Sequence, residues 1–439
     1  MTRIPGLNRE ILGLAVPALG ALVAEPVFLL TNTAMVGHLG LDALAALGVA
    51  SALLQTTVGL MIFLAYSTTP QVARRLGAGD LAGAVSLGLS GIWLALGLGV
   101  LLIAVGLLLG PILTGAFGLD AAVTAQAEQY WRLSLFGLPA MLGVLAAAGI
   151  LRGLQNTVTP LWIAGLGFIA NAVLNAVLIY PVGLGLDGSA IGTVLSQWAM
   201  FVAYLVVIGR LALRHHASRR PQLLAILGTA RMGGWLFLRT LSLRVAMLLP
   251  LVVVAAMGTA EFAGYQLVAT LFTAAAFALE ALEIAGQALT GKALGSHDTS
   301  RTRVVLQRLL LWGLGFGAVL GLATLGLSPW LGGWLSGNST LGELLVPSLM
   351  VLALALPIGG LAFMLDGVLI GAGDVVFLAW VGIANLAALA VLLWLVSLAR
   401  LSGATGLATV VAAYFVGYIA VRFITLYARS RGMAWMHVS

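Results

Sequence analysis

The 439-residue chain is 61% hydrophobic and 8% charged, so it lacks the polar residues that would cover a soluble globule of this size. Its apolar stretches are about 20 residues long, enough to cross a hydrocarbon core of roughly 30 Å as helices. The short alternating segments of a transmembrane β-barrel are absent. The composition therefore predicts an all-α integral membrane protein.

The apolar stretches predict about twelve transmembrane helices. In chain order, the first six are Ile11–Val36, Leu44–Tyr66, Ala82–Leu109, Trp131–Ala148, Leu161–Tyr180 and Ala190–Leu211. The second six are Trp235–Met257, Gly264–Leu289, Val304–Leu327, Leu344–Ile370, Val375–Leu398 and Ala404–Tyr427. The first stretch is too long for the apolar region of a signal peptide, so we interpret it as a span.

Basic residues fall on alternate connections, and this pattern predicts the orientation. One side carries Arg3, Arg9, Arg74, Arg75, Arg152, Arg210, Arg214, Arg219, Arg220, Arg231, Lys292, Arg301, Arg303, Arg429 and Arg431. The opposite connections carry mostly acids. The positive-inside rule then places both termini in the cytoplasm, and the net charge of +7 reports topology and not a nucleic-acid partner.

Two halves of the sequence repeat at an offset of 218 positions. Leu76–Asp80 returns as Leu294–Asp298, Gly149–Gly153 returns as Gly367–Gly371, and Pro139 returns as Pro357. Six spans in each half give both halves the same orientation, so we expect two six-helix lobes related by a pseudo-twofold axis along the membrane normal. The predicted domains are residues 1–212, a cytoplasmic linker at 213–233, and residues 234–439.

Four acids lie within predicted spans, where a charged side chain is costly and therefore indicates a function. Glu25 precedes Pro26 and is either a protonatable cavity group or a structural acid at a kink. Glu280, Glu283 and Gln287 form a polar stripe, whose acids either take up protons or pair with Arg239 or Arg244. Asp366 is either a coupling-ion ligand or the partner of a basic residue.

Amides and hydroxyls add polar faces to the first half. Asn32 lies seven residues after Glu25, Asn171 and Asn175 are one helical turn apart, and so are Thr193 and Gln197. These side chains either bridge neighbouring helices or line a polar cavity.

The sequence contains no motif of an enzyme. Gly183–Gly188 matches a dinucleotide-binding pattern, but it joins two spans and no βαβ unit surrounds it. The histidine pair His215-His216 has no carboxylate near it, so we predict no metal site. The sequence also has no motif for a cofactor or for ATP, so we predict neither. Ion gradients remain as the energy source.

Several motifs recur here in a characteristic order and spacing: Glu25–Gly40, Gln71–Asp80, Leu151–Gly153, Asn171 with Asn175, Gly188–Gln197 and Leu365–Gly367. In this order and spacing the chain resembles the multidrug and toxic compound extrusion (MATE) transporters of the DinF-like branch. The resemblance implies two lobes around a cleft. Relatives carry an acid where this chain has Asn32, and some carry one at Asn175, so two titratable groups of the first lobe are replaced.

The resemblance implies an antiporter that exports amphipathic, often cationic, organic compounds in exchange for H⁺ or Na⁺ by alternating access. The expected coupling groups are Glu280, Asp366 and Glu25. The expected polar groups of the cavity are Asn32, Asn171, Asn175, Thr193, Gln197, Glu283 and Gln287. The expected partners are small organic substrates and the lipid of a bacterial inner membrane, with the protein a monomer. The alternative is a flippase for a lipid-linked precursor, which would need a cationic cavity built from Arg132, Arg239 and Arg244.

Overall fold

The computed structural model describes residues 6–336 and 339–436, with side chains except at 332–336, 339–341 and 343, and these residues form a chain of helices. The first eight are α1 (Leu7–Gly37), α2 (Leu41–Leu60), α3 (Phe63–Gly77), α4 (Leu81–Gly115), α5 (Ala121–Leu135), α6 (Leu138–Gly153), α7 (Val158–Ile179) and α8 (Gly185–Arg214). The others are α9 (Leu223–Met257), α10 (Thr259–Gly295), α11 (Thr299–Ser336), α12 (Ser339–Gly371), α13 (Val375–Leu398), α14 (Gly403–Val411) and α15 (Ile419–Arg431). A π-helical segment, Ala412–Tyr418, joins α14 to α15.

Eleven helical segments among the described residues are long and apolar enough to cross a membrane. A twelfth span is formed if α5 and α6 count together, because these two helices meet at a bend of 50°. The bend falls where Gly137 precedes Pro139, which has no N–H to continue a helix. The predicted all-α membrane fold with about twelve spans is confirmed.

The chain divides into two compact units. One, here the N-terminal unit, is Val16–Gly234, and the other, here the C-terminal unit, combines Met1–Ala15 with Trp235–Ser439. The start of α1 therefore belongs with the C-terminal unit, where the Glu10 carboxylate accepts a hydrogen bond from Arg301 at 2.9 Å. The sequence predicts this segment as part of the first domain, 1–212, because contacts between distant residues leave no local pattern.

The linker between the two sets of helices is shorter than predicted. Helix α8 continues to Arg214 and α9 begins at Leu223, so helix covers much of the predicted segment 213–233. Pro221 precedes α9 and cannot continue a helix from α8. The apolar residues that follow are good helix formers, although the basic residues around them suggested a loop.

Equivalent glycines make equivalent close contacts in the two units. A Cβ atom on Gly153 would lie 2.7 Å from the carbonyl oxygen of Thr69, and one on Gly371 would lie 2.6 Å from that of Gln287. Adding 218 to 69 and 153 gives 287 and 371. Gly99 packs on Pro139 and Gly317 packs on Pro357 with the same offset. The repeat in the sequence is therefore a repeat of helix packing within each unit.

Candidate functional site

The N-terminal unit contains a buried set of hydrogen-bonded polar side chains, here called the amide cluster: Asn32, Asn171, Asn175, Ser189 and Thr193. The Nδ2 atom of Asn175 donates to Asn32 Oδ1 and to Asn171 Oδ1, both at 3.0 Å. Ser189 donates to the same Asn32 oxygen at 2.7 Å, and Asn171 donates to Thr193 at 3.2 Å. Helices α1, α7 and α8 are thus joined by uncharged groups.

Tyr130 on α5 completes the amide cluster. Its hydroxyl interacts with Asn32, Ser189 and Thr193, and its side chain is 2% exposed. Sequence analysis missed Tyr130 and Ser189, because a tyrosine at a helix end and a serine after a glycine are ordinary residues at a predicted boundary. Gln197, predicted to share the face of Thr193, is half-buried one turn further along α8 and takes no part in these hydrogen bonds.

A cavity of about 330 Å³ opens beside the amide cluster, between α1 and α7. Its polar floor contains Asn32, Asn171 and Asn175. Its walls include Phe28 and Phe168, whose rings stack with centroids 5.0 Å apart. Its other lining residues are Gly20, Val23, Ala24, Val27, Thr31, Met35, Gly165, Ile169 and Ala172. The size and the apolar lining suit a small organic molecule.

Glu25 lies on the same helix as this cavity but outside its lining. Its side chain is exposed, whereas Asn32 is 6% exposed. The residues of α1 that line the cavity recur with helical spacing, and position 25 falls to one side of them. Helix α1 passes Pro17 and Pro26 as one continuous helix.

The C-terminal unit contains a buried set of ionisable side chains, here called the charged cluster: Arg239, Glu283, Asp366 and Arg422. The Asp366 carboxylate, 1% exposed, forms ion pairs with Arg239 of α9 and Arg422 of α15. A second Arg239 hydrogen bond, from Nε to Oδ1, measures 3.3 Å. Asp366 thus neutralises one of two guanidinium charges, and the other must be balanced by a further acid.

Glu283 lies beside this triad. It is 3% exposed, accepts a hydrogen bond from Gln287 at 3.3 Å, and lies within electrostatic range of Asp366, Arg239 and Arg422. Glu280 lies one turn before Glu283 on α10 and is half-buried, so it has more access to the surroundings. The structure therefore brings three of the four predicted intramembrane acids into one neighbourhood, together with Arg422, which sequence analysis missed.

A small cavity of about 10 Å³, room for about one water molecule, lies at the charged cluster. It is lined by Arg239, Asp366 and Arg422, together with Asn385 and Tyr418. The Tyr418 hydroxyl is buried and has no hydrogen-bond partner among the described residues. It stands at the end of the π-helical segment, a type of distortion that is frequent at functional sites.

The two clusters occupy positions that are not equivalent in the repeat. Subtracting 218 from 239, 283 and 366 gives Ala21, Ala65 and Ala148. Adding 218 to the amide-cluster positions 171, 175, 189 and 193 gives four buried apolar residues, Leu389, Leu393, Leu407 and Val411. At these seven positions, one unit has a polar or charged side chain where the other unit has an apolar one.

The MatE family model matches the chain twice, over residues 17–177 and 237–396. The chain belongs to the MATE family. One match lies in each half of the chain, in agreement with the repeat. MATE proteins are multidrug efflux transporters that need no cofactor, and antiport by alternating access is general for them. The predictions of this family and of a non-enzymatic protein are confirmed.

Individual relatives support the MATE assignment. The chain is 30% identical to Protein DETOXIFICATION 44, chloroplastic, of Arabidopsis thaliana over 398 residues, which cover 86% of this chain and 75% of that one. It is 28% identical to DNA damage-inducible protein F of Escherichia coli over 314 residues, or 69% of this chain and 67% of that one. The bent form of the Vibrio cholerae MATE transporter VcmN has the same fold, with a TM-score of 0.89, 22% identity and 98% of each chain covered.

Proposed function

We propose that this MATE protein is a secondary active antiporter that exports amphipathic organic compounds in exchange for H⁺ or Na⁺. It would act in a bacterial inner membrane with both termini in the cytoplasm. The observation that carries the coupling proposal is the unequal number of acids and bases when the charged cluster and the adjacent Glu280 are counted together. Arg239 and Arg422 supply two positive charges, whereas Asp366, Glu283 and the nearby Glu280 supply three carboxyl groups.

This set is electrically neutral when one of its three carboxyl groups is protonated or holds a cation. Asp366 receives hydrogen bonds from both guanidinium groups, which favours its ionised form. The two remaining acids, Glu280 and Glu283, are one turn apart on α10. In a region of low dielectric, the negative charge of one disfavours ionisation of the other. Glu283 and Glu280 are therefore the best candidates for the exchangeable ion, with Asp366 as the fixed partner. Glu25, on the exposed side of α1, remains a further candidate.

Ion binding would drive transport only if the ion has different affinities for the inward-open and outward-open states. A buried cluster that joins α9, α10, α12 and α15 can supply such a difference, because a change in its charge alters four helices at once. The substrate would occupy the cavity between α1 and α7. Its apolar walls allow broad specificity because few polar contacts fix the ligand.

The test is efflux from proteoliposomes under an imposed pH gradient and, separately, an imposed Na⁺ gradient. Glu283→Gln and Glu280→Gln should each reduce efflux driven by the coupling ion to near background while the protein remains folded. Glu128→Gln, which changes a carboxylate paired with Arg132 outside both clusters, is the matched control. Normal gradient-driven efflux by both variants would exclude the acids of α10 as the coupling groups. Efflux that depends on neither gradient would exclude antiport.

The flippase alternative gains no support from these contacts. It required free positive charge at Arg132, Arg239 and Arg244. Arg239 is bound to Asp366, and Arg132 is bound to Glu128 on the same helix. Arg244 is exposed.

A further inference from the structure

The described residues at the floor of the cavity between α1 and α7 include no ionisable group. All fourteen residues that line the cavity are apolar or neutral, and its only amide side chains are Asn32, Asn171 and Asn175. The nearby acid of α1, Glu25, is not among the lining residues. An organic cation that enters this cavity would lose part of its hydration and would meet no carboxylate in return.

The amide oxygens of the floor are also poorly placed to replace a carboxylate. The Asn32 and Asn171 oxygens accept hydrogen bonds from Asn175, and Asn32 accepts another from Ser189. The Asn175 oxygen is buried, has no hydrogen-bond partner among the described residues, and faces Gly192 so closely that a Cβ atom there would overlap it. The hydrogen-bonding capacity of the floor is thus directed within the protein and not toward the cavity.

The walls favour a flat aromatic surface. The rings of Phe28 and Phe168 stack at an interplanar angle of 17°, and the aliphatic side chains of Val23 and Val27 lie along the same helix face. Aromatic ligands pack against stacked rings in offset or edge-to-face arrangements. Because each phenylalanine gives one face to the other, less of the π surface remains to attract a cation.

We propose that this cavity binds uncharged aromatic molecules and discriminates against organic cations of the same shape. The inference rests on the proposed function, since it names the substrate class of the proposed exporter. Its cause is the presence of amides at positions 32, 171 and 175, which gives a cavity of about 330 Å³ a neutral floor.

Equilibrium binding to the purified protein in lipid nanodiscs tests the proposal without any ion gradient. The probes are acridine, at an alkaline pH where it is uncharged, and N-methylacridinium, which has the same ring system and a permanent positive charge. The wild-type protein should bind acridine at least about tenfold more tightly. Equal or tighter binding of N-methylacridinium, or binding of neither probe by folded protein, would overturn the proposal.

Two variants that return a carboxylate to the cavity should reverse the preference. Asn32→Asp restores an acid to the floor, and Val27→Asp places one on the wall without touching the amide cluster, in case Asn32→Asp fails to fold. Either variant should favour N-methylacridinium. Glu128→Gln, which removes a carboxylate outside the lining of the cavity, is the control and should leave the ratio of affinities unchanged. An unchanged ratio in folded Val27→Asp would count against the cavity as the binding site.

The two proposals can fail separately. Preferential binding of acridine together with a loss of gradient-driven efflux would contradict the antiport mechanism and not the ligand class. Gradient-driven efflux of N-methylacridinium in preference to acridine would contradict the ligand class and not antiport.

Discussion

Glu283 of α10 and Gly367 of α12 touch each other closely: a Cβ atom on Gly367 would lie 2.7 Å from both the Cγ atom and the carbonyl oxygen of Glu283. The equivalent pair in the N-terminal unit is Ala65 with Gly149, where the same Cβ would lie 3.0 Å from the Ala65 oxygen. The repeat thus conserves a close helix contact and places a carboxylate on one copy of it. Asp366, the neighbour of Gly367 in the chain, is fixed beside Glu283 by this contact.

Substitution of this glycine should separate the two helices. We expect Gly367→Ala to lower the stability by about 1–3 kcal/mol, because a methyl group forced into a packed contact displaces backbone. It should also slow gradient-driven efflux, since Glu283 and Asp366 move apart. Gly359→Ala is the control on the same helix, because a Cβ there meets no atom within 4 Å. Equal thermal unfolding midpoints for the two variants would show that the contact adapts without cost.

The two acids of the charged cluster should respond differently to neutralisation. Asp366→Asn removes the carboxylate shared by the buried Arg239 guanidinium and the partly buried Arg422 guanidinium, a change that costs about 3–5 kcal/mol. Glu283→Gln keeps an amide next to Gln287 and should be much less destabilising. Thermal unfolding in detergent measures both. Combining Asp366→Asn with Arg239→Gln should recover part of the loss, and a single Asp366→Asn variant as stable as wild type would refute the ion-pair assignment.

Restoring an acid at position 175 should make stability depend on pH. The Asn175 amide nitrogen donates to two oxygens, so a carboxylate there would face two acceptors, whereas a protonated acid could still donate to one. Asn175→Asp should therefore lose about 1–3 kcal/mol of stability as the pH rises and the acid ionises. Asn156→Asp is the control, because the Asn156 oxygen accepts from the backbone of Thr159 at 3.0 Å and an Asp can do the same. The measurement is the unfolding midpoint against pH.

Asp80, which lies between two spans, should stabilise α4 in a pH-dependent way. Its carboxylate accepts from the backbone of Gly83 at 2.7 Å and pairs with Arg75 at 2.8 Å. The Gly83 hydrogen bond, followed by Arg75, lowers the pKa of Asp80 below its usual value. Its contribution is thus complete at neutral pH and is lost as the pH falls through the folded-state pKa.

Asp80→Ala should cost about 1 kcal/mol at neutral pH, as expected for the loss of a helix cap. The difference from wild type should shrink on acidification, which unfolding midpoints over a pH series would reveal. Asp120→Ala serves as the control, since Asp120 precedes α5 but makes no side-chain hydrogen bond to cap it. A difference that stays constant down to acid pH would exclude the ionised carboxylate as its origin.

Local patterns in the sequence were enough to predict the spans, the acids within them and the amide pair on α7. These patterns could not predict which side chains these residues would contact. Asp366 binds residues 127 and 56 positions away, on α9 and α15, and helical periodicity gives the face of a side chain without its neighbour. The signal for Arg422 was available, because it is an arginine inside the predicted span Ala404–Tyr427.

The same limit explains the amide cluster. The one-turn spacing of Asn171 and Asn175 indicated a shared face, and their hydrogen bond measures 3.0 Å. That this face meets Asn32 of α1 and Ser189 of α8 depends on how the helices pack. The bend between α5 and α6 could not be predicted either, because Gly137 and Pro139 lie in an apolar stretch that hydropathy alone predicts as one span.

The neutral floor of the cavity between α1 and α7 has a consequence for energetics. An exporter that releases an uncharged molecule for each proton admitted moves one net positive charge inward per cycle. Membrane voltage then drives export directly, at about 2.3 kcal/mol per elementary charge for each 100 mV. Such a transporter would keep working in an alkaline medium, where the pH gradient vanishes but the inside-negative voltage persists.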